Sequence, residues 1–182
     1  MKLEDKVVWI TGASSGIGAA CAEAFCAAGA KVIISARREE LLQAVRERCS
    51  APDRVTVCPI DVTDHARHDA LVDSLSSSVG PIDVLINNAG VSQRARAEDT
   101  TLEVDRQIME LNYFAVVSLT KAVLPRMVAR HSGHVVVVSS VAGYVGTKRR
   151  TAYAATKHAV RGYFDSLRAE VAAHGVGVTI VC

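Results

Sequence analysis

Tyr153 and Lys157 stand four residues apart in the stretch TAYAATK, a spacing that puts both side chains on one face of a helix. A phenol with an ordinary pKa of about 10 exchanges protons poorly at neutral pH. A lysine cation beside it favours the phenolate, so the pair makes a usable proton donor and acceptor. A second stretch, Thr11-Gly12-Ala13-Ser14-Ser15-Gly16-Ile17-Gly18, lies near the start of the chain. Its glycines permit unusual backbone angles and close approach, and a helix N-terminus behind them offers unpaired N–H groups to a pyrophosphate. The spacing is neither G-x-G-x-x-G nor a P-loop, which ends in Gly-Lys-Ser/Thr. A third stretch is Ser35-Ala36-Arg37-Arg38. About 20 residues past such a loop an acid selects the ribose hydroxyl of NAD, whereas arginine accommodates the 2′-phosphate of NADP. Positive charge opposes a helix N-terminus, which Glu39 and Glu40 suit better, so a structural role for both arginines is disfavoured. The expectation is NADP(H) in preference to NAD(H), with Arg37 as the phosphate ligand, Arg38 beside it and Ser14 assisting.

The elements that must hold these residues can be read from hydrophobic period. Apolar, β-branched runs occur at 7–11, 31–36, 54–60, 82–87, 134–140 and 176–182, separated by spacers of helical character at 39–49, 64–79, 101–131 and 152–174. In the first helix Ile17, Ala20, Cys21, Ala24, Phe25 and Ala28 follow the 3.6 period, with Gly29 as its stop. Val160, Phe164, Leu167 and Val171 form the packing stripe beyond Tyr153 and Lys157. Strands this uniformly apolar suit a parallel sheet covered on both faces. The prediction is an α/β, doubly wound Rossmann fold of six strands, in one domain spanning 1–182, with ligands at the carboxyl ends of the strands. Pro125 lies inside the long 101–131 spacer and leaves its inner boundaries open.

Composition narrows the class of function. With 21 Lys+Arg against 19 Asp+Glu, no general attraction to nucleic acid or anionic membrane is expected. The opening MKLEDKVVWI carries charges where a signal peptide has its apolar core, and no apolar run approaches the roughly 18 residues of a membrane span. The expectation is a cytoplasmic chain. Five cysteines without a CxxC read as reduced thiols rather than a disulfide framework or metal site. The pairs His65/His68 and His131/His134 lack a third ligand, so no metal is expected. Lys148, Arg149 and Arg150 read as a solvated basic loop, though they could meet an acidic substrate. Tyr113, Tyr144 and Tyr163 read as packing residues. No placed His and acid complete a nucleophilic triad, which excludes a serine hydrolase.

Gly12, Gly16 and Gly18 make the pattern TGxxxGxG, and with Asp61, Asn87-Asn88-Ala89-Gly90, Asn112, Ser140, Tyr153 and Lys157 following in order the chain resembles the short-chain dehydrogenase/reductase family. The stretch from INNAGVSQRA to AYAATKHAV is closest to the dehydrogenase/reductase member-7B-like branch. The resemblance implies an oxidoreductase that moves a hydride between NADP(H) and a carbonyl or secondary alcohol, with Tyr153 as general acid and base. It implies that Ser140 hydrogen-bonds the substrate oxygen, that Lys157 also binds the nicotinamide ribose, and that Asn112 holds a water in the proton relay. Thr11 to Gly18, apart from Ala13, belong to the cofactor side by the same resemblance, as do Asp61 and Val62 at the adenine and Asn88, Ala89 and Gly90 past the fourth strand, with Asn87 mainly structural. Ser139 points away from the substrate if strand alternation holds. The loops 91–98 and 143–150 should flank the substrate, and homo-oligomerisation through the long helices is the family habit. Members of the family continue past the sixth strand with a Pro-Gly turn, a substrate-covering segment and a seventh strand, so the chain reads as lacking that C-terminal part. The alternative reading is a non-catalytic cofactor-binding fragment or interaction protein. An epimerase of the extended branch, which would show TGxxGxxG, ranks third.

Overall fold

The six apolar runs pair side by side, all parallel, in a computed structural model that describes residues 3–182. The strands are β1 (Val7–Thr11), β2 (Lys31–Ser35), β3 (Val55–Val57), β4 (Val84–Asn87), β5 (Gly133–Val138) and β6 (Val176–Val181). The order across the sheet is β3-β2-β1-β4-β5-β6. Chain direction across the sheet therefore reverses between β1 and β4, and the crevice at that switch is where a doubly wound sheet binds its ligand. The predicted fold class holds, with six strands among the described residues.

Six α-helices cover the two faces: α1 (Gly16–Ala27), α2 (Glu39–Arg48), α3 (His68–Ser78), α4 (Leu102–Met109), α5 (Ala115–Ala129) and α6 (Thr151–Val171). Alternation along β1 divides the core. Val8 and Ile10 pack with Ala22, Cys26, Leu42 and Val45 of α1 and α2, whereas Val7 and Trp9 pack with Val72, Leu119, Val160 and Phe164 of α3, α5 and α6. Because both faces are covered, all five β1 residues are buried, which explains a run without polar alternation.

Three sequence expectations change. The buried face of α1 is Gly18, Ala19, Ala22 and Cys26; of the expected stripe Cys21 and Phe25 pack half-buried against the core, while Ile17, Ala20, Ala24 and Ala28 are exposed. Small residues let the helix lie close to the sheet, and Ile17 is left 61% exposed. The run 54–60 yields only a short β3, although the amides of Cys58 and Ile60 go on to bond the carbonyls of Ile34 and Ala36 at 3.0 Å; Pro59 between them is tolerated because its missing N–H falls on the open edge of the sheet. The spacer 101–131 divides into α4, a π-helical turn at Glu110–Phe114, and α5, which carries Pro125 inside it. Extra-wide turns of this kind concentrate at functional sites, and this one carries Asn112.

Candidate active site

The carboxyl ends of β1 and β4 meet at Gly12. A Cβ there would fall 2.7 Å from Ala89 Cα, and one at Gly18 would fall 2.5 Å from the Gly12 carbonyl oxygen and 2.6 Å from Asn88 Nδ2. Backbone contact this close leaves no room for a side chain, and Gly12 also adopts φ +66. The Asn88 amide locks the junction by donating to the carbonyls of Thr11 and Gly12 at 3.0 and 3.1 Å. The buried Thr11 hydroxyl accepts from the backbone N–H groups of Asn88 and Ala89, both at 3.1 Å. One residue earlier, at the end of β4, Asn87 donates to Thr120 Oγ1 at 3.0 Å.

Above this junction opens a cleft of about 680 Å3. Of the residues predicted to hold a dinucleotide, Gly12, Ser14, Ser15, Ile17, Arg37, Arg38, Asp61, Val62, Asn88, Ala89 and Gly90 line it. Thr11, Gly16 and Gly18 do not; Thr11 and Gly18 shape its floor from beneath. Asp61 makes a local turn, its Oδ1 accepting from the Thr63 amide at 2.9 Å and hydroxyl at 2.7 Å. Those two bonds, with Arg37 across the cleft, hold its carboxyl below the usual range. Sequence reasoning missed Gln107, Ile108 and Leu111 on the far wall; they lie in the spacer whose inner boundaries it left open.

The donor set fits a dinucleotide. The glycine turn and the N-terminus of α1 supply bare backbone for a pyrophosphate, two arginines stand at the end of β2, and Asp61 keeps one carboxylate oxygen outside its local turn. Size agrees as well, since cofactor and small-molecule sites run to roughly 300–1,000 Å3.

Ser140, Tyr153 and Lys157 lie beyond the cleft lining. α6 carries the tyrosine and lysine on one face, as the spacing predicts, with Lys157 Nζ 5.8 Å from the centre of the Tyr153 ring. Lys157 is buried, donates to the Val138 carbonyl at 2.8 Å, and has its pKa pulled down to about 8 by burial, with a small opposing effect from Cys182. Ser140 lies two residues past the end of β5. Its Oγ accepts from the Ala142 amide at 3.1 Å, which leaves its own hydrogen available to a ligand. The turn after Ser140 reaches α6 because Gly143 has no side chain: a Cβ there would sit 2.9 Å from both the Lys157 carbonyl oxygen and Ser139 Oγ. Ser139 itself is buried and its hydroxyl has no described partner.

Asn112 joins the two halves. Its Oδ1 accepts from the Val91 amide at 2.9 Å, and its Nδ2 donates to the Val91 carbonyl at 2.9 Å and to Thr156 Oγ1 at 3.1 Å. Thr156 in turn donates to the Tyr153 carbonyl at 2.8 Å. Val91 lines the cleft, so one buried amide fixes the cleft edge to the helical turn that carries the phenol. Thr156 went unnoticed in the sequence, where a threonine inside a helix gives no signal of its own.

Comparison with known proteins agrees with this geometry. Residues 6–182 match the family model described as short chain dehydrogenase. The chain belongs to the short-chain dehydrogenase family. It is 42% identical to dehydrogenase/reductase SDR family member 7 of Homo sapiens, over 100% of this chain and 55% of that protein. It is 46% identical to member 7B of Danio rerio, over 98% and 60%. The chain thus spans little more than half the length of these curated relatives. Among solved structures, a short-chain dehydrogenase from Streptomyces avermitilis superposes with a TM-score of 0.92 at 42% identity, covering 97% of this chain and 65% of that one. A short-chain dehydrogenase/reductase from Burkholderia phymatum in complex with NAD superposes at 0.94 with 28% identity, covering 100% and 66%. Among the described residues no helix is long and apolar enough to cross a membrane, and no group of three His, Cys, Asp or Glu could hold a metal.

Proposed function

We propose that the chain carries the cofactor site and acid–base group of an NADP(H)-dependent oxidoreductase that interconverts a carbonyl compound and a secondary alcohol. The observation that carries this reading is the Asn112 bridge, which ties a dinucleotide-sized cleft to the helix bearing Tyr153 and Lys157. When bound, the nicotinamide dinucleotide supplies hydride chemistry. The chain supplies the rest. Gly12, Ser14, Ser15 and the first turn of α1 hold the pyrophosphate, Asp61 and Val62 take the adenine end, and Arg37 with Arg38 favours the 2′-phosphate of NADP over the bare hydroxyl of NAD. Tyr153 gives its phenolic proton to the substrate oxygen in reduction and takes it back in oxidation. Ser140 donates its free hydrogen to the same oxygen, where negative charge develops. Lys157, whose pKa is about 8, is mostly cationic at neutral pH and holds its ammonium 5.8 Å from the centre of the Tyr153 ring. Leu102 and Phe114 remain exposed along α4 and the π-helical turn, apolar surface that supports self-association of a cytoplasmic enzyme.

Trp9 offers the first test. It is the only tryptophan, is fully buried, and donates to Ser35 Oγ at 2.8 Å just below the cleft. Its emission should be quenched saturably by NADPH, and Arg37→Ala should weaken NADPH by about tenfold with little effect on NADH. Equal losses for both would overturn the 2′-phosphate assignment. Tyr153→Phe should abolish turnover of carbonyl substrates while sparing NADPH binding. Saturable binding with no turnover by the unaltered chain would favour a cofactor-binding module instead.

A further inference from the structure

We propose that Arg150 is an anchor for a carboxylate on the substrate, so that the reactive carbonyl compound is an organic acid. This inference rests on the carbonyl-reducing reading above and names its substrate class. Arg150 precedes α6 and lies over the Tyr153 ring, its guanidinium carbon 5.7 Å from the ring centre, and it is not among the residues that line the cofactor cleft. One Nη donates to Ser92 Oγ on the loop after β4, so the side chain spans the two segments that flank the substrate side. It is partly buried, and no described carboxylate pairs with it. A guanidinium has five N–H donors in a planar fork, and Ser92 takes only one.

The surroundings increase this imbalance. The segment 91–100 carries Arg94, Arg96, Glu98 and Asp99, and the segment 143–150 carries Lys148, Arg149 and Arg150. Glu98 is already paired with Arg96 at 2.6 Å. These two segments thus carry five cations against two carboxylates, of which only Asp99 is left without an ion-pair partner among the described residues. On and beside the same segments Val91, Val141, Tyr144 and Val145 are all exposed. Tyr144 is held by the Arg161 guanidinium, 3.6 Å from its ring centre. An apolar wall with a fork of donors at one end, beside a proton donor, suits a carbonyl compound whose far end is a carboxylate. The backbone at Arg150 does separate work, since its carbonyl accepts from the Ala154 amide at 2.7 Å, and that bond survives a side-chain change.

The test compares 4-formylbenzoate with its uncharged methyl ester, by calorimetric titration of the chain and then by turnover with NADPH. The unaltered chain should bind the acid about tenfold more tightly than the ester. Arg150→Ala should erase that preference, and Arg150→Lys should restore part of it by charge alone. Equal affinity for acid and ester, binding of neither, or a preference that survives Arg150→Ala overturns the proposal. Arg150-dependent preference without reduction of the aldehyde would leave the carboxylate site standing while removing the carbonyl-reducing reading. In turnover, the acid-over-ester ratio of kcat/KM should fall about tenfold in Arg150→Ala. A residue that only positions the loops would lower both substrates alike and leave the ratio unchanged.

Discussion

Replacing Lys157 with methionine should change how stability depends on pH more than it changes stability itself. In the folded chain the lysine is buried with its amine against the Val138 carbonyl, and burial brings its pKa from 10.5 to about 8. Below about pH 8 the folded state must keep an ammonium in poorly solvating surroundings, while the unfolded chain leaves it in water. Between about 8 and 10.5 the folded state has released the proton and the unfolded state still holds it. Stability therefore rises with pH across that window. Its contribution is complete above the unfolded pKa and lost as pH falls through the folded one. At about 1.4 kcal/mol per pH unit, the whole window amounts to about 3 kcal/mol. Methionine has similar length and no charge, so the variant lacks this dependence and loses only the bond to Val138, a roughly constant cost of about 1–3 kcal/mol. The assay is urea unfolding of both proteins from pH 7 to pH 10, followed through Trp9. Groups distant from Lys157 are common to both proteins and cancel in the difference. The unaltered chain should gain on Lys157→Met by most of that 3 kcal/mol as pH rises. A flat difference, or one that falls, would refute the account of a buried ammonium.

Gly18→Ala drives a methyl group into the Gly12 carbonyl and Asn88, and should cost about 1–3 kcal/mol; an unchanged melting temperature would show that the junction can relax. Asn112→Ala leaves the Val91 amide and carbonyl and Thr156 without their partner, and should destabilise the chain by at least about 2 kcal/mol. Asn112→Asp keeps the acceptor for the Val91 amide but sets a buried carboxylate oxygen against the Val91 carbonyl, so it should destabilise at least as much as Asn112→Ala in denaturant unfolding, and parity of either variant with the unaltered chain would remove the bridge from the argument. Thr63→Val removes one of the two bonds that hold the Asp61 carboxyl down, so its pKa should rise towards the ordinary value in an NMR titration; no movement would mean that the hydroxyl contributes nothing.

Residues whose role depends on local spacing were legible in the sequence. The i, i+4 pair of α6, the glycine turn after β1 and the arginines after β2 each carry their geometry in a few neighbouring positions, and the structure puts each where that geometry requires. Roles that arise from contact between distant segments were not legible. Thr156 matters only because Asn112 reaches it, and Gln107 matters only because α4 packs where this residue lines the cleft, far in sequence from the glycine turn. The stripe assigned to α1 failed for a related reason. Hydrophobicity alone favours Ile17 as the buried residue, but an approach close enough to exclude a Cβ at Gly18 gives the buried face to glycine and alanine instead.

The junction of Gly12 with Ala89 also bears on the order in which the chain becomes competent. β1 pairs with β2 across a short interval of sequence, but its other neighbour is β4, and the Thr11 hydroxyl finds its two amide partners at Asn88 and Ala89. Closing that longer loop costs more entropy and comes later than local pairing. The glycine turn precedes β4 in the chain, yet it has no opposite wall until residues near 90 have docked. Nucleotide affinity gained during refolding would therefore time the docking of β4 against β1, and a growing chain would acquire it in a single step rather than gradually.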